Sequence, residues 1–262
     1  MSKLCTLFSG SAGNCTYIAG GRDGILIDAG VSCKQILSAL ESYAIEPDQI
    51  KAILITHSHT DHIKGLRVLL TRLRVPVYAS RETLGALLLQ NTFQPCDRYY
   101  DIEETDSLPF EMDVQFFRTS HDCAGSGGYT VTLKDGQRVA VCTDLGVVSD
   151  EIRGAIRGCK AVVIESNHDV GMLQNGPYPF ATKQRILSDC GHLSNVSCAG
   201  ELSGLIESGA THIVLAHLSR ENNTPELARV TAESVLMEQG MKCGVDYALT
   251  VAPKRDGKML YI

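Results

Sequence analysis

The stretch Ala52-Ile53-Leu54-Ile55-Thr56-His57-Ser58-His59-Thr60-Asp61-His62 decides which fold and which chemistry we expect of this chain. Its first four residues form an apolar run bounded by polar residues, a pattern typical of a buried strand. Four side chains that can bind a metal follow directly in the next loop: His57, His59, Asp61 and His62. Because side chains two positions apart point the same way in an extended chain, His57 and His59 can reach one ion.

The second half of the stretch points to a second ion. Asp61 and His62 open a helical pattern that we expect to run from Ile63 to Leu73, so they can turn toward a neighbouring site. Imidazole nitrogens and carboxylate oxygens suit zinc, manganese or iron, and ligand type does not choose among these metals. The alternative is a plain polar loop, but groups packed this densely behind a buried strand favour metal binding.

Length and composition describe an ordinary globular protein. The chain has 262 residues, of which 44% are hydrophobic and 21% charged, enough for one large domain or two small ones. No apolar run approaches the roughly 20 residues that span a membrane, and the first residues lack a signal-peptide core. We therefore expect a cytoplasmic protein whose ten scattered cysteines are reduced and, like Cys142 and Cys198, mostly small core residues.

The charge balance limits the kinds of partner. The formal net charge is −6, which argues against a surface coated with positive charge for nucleic acid. A local basic groove in an acidic surface remains compatible with this value.

Predicted strands and helices alternate along the chain, which indicates an α/β protein. Polar side chains stand at one predicted strand end after another: Asp28, His57, His121, Asp144, Glu165 and His217. Groups gathered at strand ends from distant parts of a chain build a rigid site on an α/β scaffold. No repeat, linker or low-complexity tract interrupts the sequence, so we interpret residues 1–262 as a single domain.

By count, the ligands suffice for two ions. One ion can take His57, His59 and His121, and the other can take Asp61, His62 and His217. Asp144 can bridge the two ions. Two such ions lower the pKa of a shared water to about 7, so that a nucleophile is present at neutral pH. Asp61 is thus predicted to be both a ligand and a catalytic residue.

Other residues are candidates for supporting roles. His192 lies in a glycine-flanked loop before a helix and can protonate a leaving oxygen as general acid. Asp28 and Glu165 can orient site histidines. The loop Ser9–Asn14 is either a plain hairpin turn or a phosphate-binding loop, with Ser11 and Asn14 as the contacts. Two further alternatives concern residues that follow strands: Ser219 contacts a phosphate or belongs to a loop before a helix, and His168 acts in the site or lies in a solvated loop.

The run His57–His62 resembles the His-x-His-x-Asp-His signature of the metallo-β-lactamase superfamily. The matching residues His121, Asp144 and His217 follow in the superfamily's order. The resemblance covers nearly the whole chain and implies a four-layer αββα sandwich with a two-metal site at the edge of both sheets.

Other stretches of the sequence indicate which branch of the superfamily the chain resembles. Gly191-His192-Leu193-Ser194 resembles the ribonuclease Z and phosphodiesterase branch, in which the matching histidine gives a proton to the leaving group. Ser9–Asn14 and Leu215–Asn223 are similar to the YycJ/WalJ family, which implies 5′→3′ DNA exonuclease activity and a link to mismatch repair. The interval from His121 to Asp144 is too short for a ribonuclease Z arm, and that from Asp144 to His217 is too short for a β-CASP insertion.

We therefore expect a dinuclear metal-dependent phosphodiesterase that acts on a DNA end from the 5′ side. The alternative is a small-molecule ester, lactone, thioester or cyclic-phosphodiester hydrolase on the same metal core, which the net charge and the missing clamp favour. A non-enzymatic interaction domain is a third hypothesis, against which the complete ligand set argues.

Overall fold

Within residues 2–262, the computed structural model has thirteen strands arranged in two mixed sheets. The first sheet has the order β13-β1-β2-β3-β4-β5-β6, and the second has the order β12-β11-β10-β9-β8-β7. The strands of the first sheet are β1 (Ser2–Phe8), β2 (Cys15–Gly20), β3 (Asp23–Ile27), β4 (Ile50–Leu54), β5 (Val77–Ala79), β6 (Tyr99–Asp101) and β13 (Leu260–Tyr261). Those of the second are β7 (Met112–Arg118), β8 (Gly127–Leu133), β9 (Arg138–Cys142), β10 (Ala161–Glu165), β11 (His212–Ala216) and β12 (Ala248–Val251).

Helices join most of the parallel strands. They are α1 (Cys33–Ser42), α2 (Thr60–Ile63), α3 (Leu66–Leu73), α4 (Arg81–Leu89), α5 (Asp150–Ile156), α6 (Val170–Asn175), α7 (Phe180–Leu187), α8 (Asn195–Glu207) and α9 (Pro225–Glu238). Short 3-10 turns lie at Pro47–Gln49 and Ile102–Glu104. The side chains of Ser32, Ser80 and Thr224 cap α1, α4 and α9, because each accepts a backbone hydrogen bond from the first turn of its helix.

The strands bury side chains on both faces, which produces four layers. In β4, Ile53 packs in the cluster formed with α1 and α3, whereas its neighbour Leu54 packs between the sheets. In β10, Val163 lies between the sheets and Ile164 lies against α5, α8 and α9. Successive strand residues point to opposite faces, so each apolar run supplies two hydrophobic layers. The predicted αββα sandwich is confirmed.

One expected helix is broken. The pattern from Ile63 to Leu73 forms α2 and α3, with the break at Lys64 and Gly65. The carbonyl of Asp61 accepts the amide of Asn14 at 2.8 Å, and the amide of Gly65 donates to the carbonyl of Ala29 at 2.8 Å. In a continuous helix, the amide of Gly65 would instead donate to the carbonyl of Asp61. Contacts with the β2 and β3 ends therefore replace the helical bond beside the metal-binding motif.

The direction of the strands sets the position of the site. β3 and β4 are parallel, β9, β10 and β11 are parallel, and β7 runs with them because β8 is antiparallel to both β7 and β9. The carboxyl ends of these strands therefore bring the polar residues named above to the edges of the two sheets.

Two smaller expectations concern membrane-spanning helices and the burial of cysteine residues. Within residues 2–262 no helix is long and apolar enough to cross a bilayer. Cys142 and Cys198 lie in the core, as predicted, with at most 1% of their surface exposed.

Candidate metal centre

Three of the strand-end residues adopt a left-handed backbone. The φ angles are 65° at Asp28, 60° at Asp144 and 54° at His217, which is uncommon for residues with a side chain. Each residue directly follows, or nearly follows, a buried parallel strand. The turn of the chain at these points aims a polar side chain into the edge between the sheets, and such strained conformations concentrate at functional sites.

The first ligand group consists of His57, His59 and His121. Nε2 of His57 lies 3.1 Å from Nδ1 of His59, and Nε2 of His121 lies 3.3 Å from the same Nδ1 atom. His57 and His121 are buried, and His59 is partly exposed. The three nitrogens converge from β4 and β7, so the structure brings together one of the two predicted sets as a group that can hold a metal ion.

The second ligand group consists of Asp61, His62 and His217. Oδ2 of Asp61 lies 3.7 Å from Nε2 of His62 and 3.5 Å from Nε2 of His217. His62 and His217 are buried, whereas 26% of the Asp61 side chain is exposed. These atoms also form a group that can hold a metal ion.

Asp144 lies between the two groups. Its Oδ2 atom is 3.3 Å from Nε2 of His62, and its Oδ1 atom is 3.9 Å from Nε2 of His121. Oδ2 is buried and makes no hydrogen bond of acceptable geometry within the described residues. A buried, unsatisfied carboxylate oxygen is costly. A divalent cation would satisfy it, so the residues present fit metal binding.

Asp28 fixes the orientation of His62. Oδ2 of Asp28 accepts a hydrogen bond from Nδ1 of His62 at 2.7 Å, which leaves Nε2 of that histidine facing the site. The carboxylate is itself held by Thr56, whose amide donates to Oδ1 at 2.9 Å and whose hydroxyl donates to Oδ2 at 2.9 Å. The same hydroxyl lies 3.1 Å from Nδ1 of His57. Hydrogen-bond partners of this kind select the tautomer and position of a ligand histidine.

Glu165 holds two histidines at once. Its Oε1 atom is 2.9 Å from Nδ1 of His192 and 2.7 Å from Nδ1 of His217. Its Oε2 atom accepts the amides of Leu145 at 3.2 Å and Leu193 at 2.9 Å, and the side chain is fully buried. The carboxylate therefore connects the ends of β9 and β10, the loop before α8 and the end of β11.

Sequence reasoning missed several groups that position these side chains. The carbonyl of Gly191 accepts from Nδ1 of His121 at 3.1 Å, and Asn167 donates to the carbonyl of His217 at 2.8 Å. Thr56 could have been identified as a supporting residue from the sequence, because it is a small polar residue between a buried strand and the motif. No sequence feature could have indicated the role of the Gly191 carbonyl, since its position depends only on the packing of the loop.

Buried charges shift the pKa values of these groups. Burial alone would lower the pKa of His217, but Asp144, Asp61 and Glu165 outweigh it and raise the pKa to about 10. Burial would raise the pKa of Glu165, but His192 and His217 outweigh it and lower the pKa to about 2. The surroundings of His217 thus stabilise positive charge, which is also what a divalent cation requires, whereas burial lowers the pKa of His57 and of His59.

His192 is placed for proton transfer. Burial tends to lower its pKa, but Glu165 and Asp144 together raise the pKa above the usual value for histidine. Its Nδ1 atom is 3.8 Å from Oδ1 of Asp144, and 16% of its side chain is exposed. With Nδ1 held by Glu165, Nε2 is the atom that remains for a substrate.

The three residues expected to contact a phosphate differ in their burial. Ser11 is exposed at the tip of the β1–β2 loop. Asn14 is buried, with Oδ1 accepting from the amide of Gly10 at 2.9 Å and Nδ2 lying 3.1 Å from Nε2 of His62. Ser219 is buried, and its hydroxyl accepts from the amide of Asn222 at 3.2 Å. Ser11 lines a cavity together with Leu218 and Arg220, the two neighbours of Ser219 in sequence.

Two histidines outside the ligand set differ from each other. Of the two alternatives for His168, the solvated loop is wrong, because only 1% of its surface is exposed. Neither ring nitrogen of His168 has a hydrogen-bond partner within the described residues. His212, at the start of β11, is half-buried and lies at the opposite end of that strand from the site.

Two groups of imidazole and carboxylate donors share an edge of the αββα sandwich, with a histidine beside them that can carry a proton. This combination of fold and site is that of a metal-dependent hydrolase of the metallo-β-lactamase type.

Comparison with known proteins identifies the family. A family model described as the β-lactamase superfamily domain matches residues 24–218. The exodeoxyribonuclease YycJ of Bacillus anthracis is 39% identical over 98% of this chain and 97% of its own length. The exodeoxyribonuclease WalJ of Streptococcus pneumoniae is 36% identical over 94% of this chain and 92% of its own length. The chain therefore belongs to the YycJ/WalJ family of the β-lactamase superfamily.

A solved structure supports the fold. Zinc-bound PqqB from Methylobacterium extorquens has a TM-score of 0.72 to this chain at 17% identity, covering 99% of this chain and all of that one. At this identity the likeness concerns the fold alone.

Proposed function

We propose that the protein is a dinuclear metal-dependent phosphodiesterase that degrades DNA from a 5′ end. The observation that carries the proposal is the contact of Glu165 with both His192 and His217, which couples a proton-carrying histidine to a metal-binding one. The names of YycJ and WalJ, which match nearly the full chain, support DNA as the substrate. A role in DNA repair in the cytoplasm is part of the same proposal.

Two divalent ions, zinc or manganese and alternatively iron, are proposed as cofactors. His57, His59 and His121 would hold one ion, Asp61, His62 and His217 the other, and Asp144 would contact both. When bound, the ions supply a water-derived nucleophile at neutral pH and stabilise negative charge at phosphorus. Asp28 and Glu165 keep the Nε2 atoms of His62 and His217 directed into the centre.

His192 is proposed as the general acid. The Glu165 carboxylate binds Nδ1 and favours the protonated ring, so that Nε2 can carry the proton that the leaving 3′-oxygen needs. Loss of the proton leaves a neutral imidazole that is still held by the same carboxylate. Asp61, the carboxylate of the second ligand group, has 26% of its side chain exposed, and we propose that it acts beside the substrate phosphate.

Residues 1–262 are proposed to act as a single domain without a clamp or inserted domain. The interval from His121 to Asp144 contains the hairpin of β8 and β9, and the interval from Asp144 to His217 contains α5, β10, α6–α8 and β11. A compact core of this kind leaves the centre accessible to a strand end.

The proposal is tested with 5′-labelled DNA under zinc, manganese and iron. We expect release of label from single- or double-stranded DNA and about two metal ions per chain by elemental analysis. Asp61→Asn should reduce the metal content toward one ion per chain and abolish most activity, because the second group loses its carboxylate. Asp106→Asn, at an exposed position, is the matched control and should change neither quantity. Metal-loaded protein that leaves DNA intact would contradict the proposal.

One observation favours a second function. The net charge of −6 suits a small ester, lactone, thioester or cyclic diester better than a long polyanion. A screen that finds turnover of such esters, with no cleavage of DNA, would establish this alternative instead.

A further inference from the structure

A cavity of about 380 Å³ lies beside the metal centre, between three loops. They are the β1–β2 loop with Ser9 and Ser11, the β11–α9 loop with Arg220, and the loop after β12 with Lys254. The loops come from both sheets, at the same edge as the metal ligands.

The charge of the cavity is opposite to that of the protein. The chain has a net charge of −6, but the charged residues that line this cavity are Arg220 and Lys254, both cations. Arg220 has Glu221, its neighbour in sequence, 3.7 Å away, and 77% of its side chain is exposed. Lys254 is exposed and forms no ion pair within residues 2–262. These two cations are available to an anion.

The backbone of the β1–β2 loop adds donors. Within the described chain, the amides of Ser11 and Ala12 donate no hydrogen bond, whereas those of Gly10 and Gly13 are both paired. Gly10 has a φ of +117°, and a Cβ atom there would lie 3.1 Å from the carbonyl of Leu218. Glycine thus lets the loop lie close against the residue that follows His217. Successive free amides and hydroxyls in a turn form a concave site for anions.

The cavity walls are joined to the second ligand group. The amide of His217 donates to the hydroxyl of Ser9 at 2.8 Å, and Leu218 is the next residue. Asn14 connects the amide of Gly10 to Nε2 of His62, as described above. An anion in the cavity would therefore be a close neighbour of a phosphate at the metal centre.

We infer that this cavity binds the terminal 5′-phosphate of the DNA strand while a following phosphodiester occupies the metal centre. A terminal phosphate monoester carries nearly two negative charges and three acceptor oxygens, whereas an internal phosphodiester carries one charge. Two cations with free amides and hydroxyls match the terminal group better. The inference rests on the proposed function and adds the chemical feature by which the 5′ end is selected.

The test compares an oligonucleotide that has a 5′-phosphate with the same oligonucleotide that has a 5′-hydroxyl, using the metal-loaded protein. Charge-assisted hydrogen bonds contribute about 1.5–3 kcal/mol, so kcat/KM should be roughly 10–100-fold higher for the phosphorylated end. The double variant Arg220→Ala/Lys254→Ala should lose this preference while retaining its metal content. Arg255→Ala is the matched control, because it removes the adjacent positive charge from a residue that lines a different cavity, and it should keep the preference.

Equal kcat/KM for both ends in the unmodified protein would overturn the inference but leave the exonuclease proposal intact. Loss of the preference in Arg255→Ala as well would also overturn it, because the effect would then be one of general charge. If the double variant does not fold, Lys254→Gln alone is measured in the same way. If no DNA is cleaved, fluorescence anisotropy decides: tighter binding of the phosphorylated oligonucleotide, lost in the double variant, supports the cavity, and equal binding excludes it.

Discussion

Oε1 of Glu165 lies 2.7 Å from Nδ1 of His217, and this contact determines which nitrogen of the histidine faces the candidate metal centre. The same oxygen lies 2.9 Å from Nδ1 of His192. One buried carboxylate at the end of β10 therefore positions both a predicted metal ligand and the predicted proton donor. A change at Glu165 is therefore expected to affect both metal binding at His217 and proton donation by His192.

Replacing Glu165 with glutamine should weaken both metal binding and proton donation. The amide keeps the shape but removes the charge that holds the two histidines, so we expect metal affinity to fall about 10–100-fold. Metal titration monitored by elemental analysis measures this change. Glu201→Gln is the matched control, because Glu201 pairs with Arg153 at the surface. Unchanged metal affinity in Glu165→Gln would show that the contact does not orient the ligand.

Replacing His192 with alanine should affect substrates according to their leaving group. Cleavage of DNA should slow by about a hundredfold to ten-thousandfold, because the leaving 3′-oxygen needs a proton. Hydrolysis of bis(p-nitrophenyl) phosphate should fall much less, since p-nitrophenolate leaves without one. Steady-state kinetics on both substrates measure the difference, with His212→Ala as the control at a distant half-buried histidine. Equal losses on both substrates would argue against the role of general acid.

His168 should make the unfolding free energy of the protein decrease at acidic pH. Burial lowers its pKa from the usual 6.5 to about 4, although Glu165 opposes the shift. Between these values the unfolded chain binds a proton that the folded chain does not, so stability is present above pH 6.5 and is lost as the pH falls toward 4. The shift corresponds to about 3 kcal/mol.

Urea unfolding of His168→Gln and of the unmodified protein, both with chelator, measures this contribution. The difference between their unfolding free energies should change by that amount between pH 7 and pH 4, because glutamine does not titrate. A constant difference across this range would show that His168 takes up its proton without cost.

Gly30 should be irreplaceable for steric reasons. A Cβ atom at this position would lie 1.7 Å from the carbonyl oxygen of Asp61 and 2.5 Å from the amide nitrogen of Asn14. Gly30→Ala must displace the metal-binding loop, so we expect a loss of more than about 3 kcal/mol in unfolding free energy and of metal binding. Thermal or urea denaturation measures the first effect.

Gly85→Ala is the matched control for Gly30→Ala. Gly85 lies in α4, and a Cβ atom there would meet nothing within 4 Å. This substitution should instead stabilise the protein by about 0.5–1 kcal/mol, because alanine favours the helix. Similar destabilisation by both substitutions would mean that the close approach at Gly30 is not the cause.

Local patterns predicted the strands around the site well, since each is a short apolar run with a polar residue at its end. They were less informative where contacts between distant residues decide the structure. The pattern from Ile63 to Leu73 is helical throughout, but the pairing of Asp61 with Asn14 and of Gly65 with Ala29 divides it. Helices α5, α6 and α7 and the short strands β6, β12 and β13 were not anticipated, because they carry weak or brief periodicity.

The sequence alone determined the chemistry available at the site. Residue types, the spacing within His57–His62, and the polar residues at strand ends specified imidazole and carboxylate ligands in an α/β protein, because these signals are local. Only the tertiary structure decided how the candidate ligands are arranged in groups and which side chains hold them in place. Glu165 serves both His192 and His217, Asp144 lies between two groups, and three loops enclose a basic cavity beside them. These relations depend on strand order and on left-handed turns at strand ends, which no local periodicity encodes.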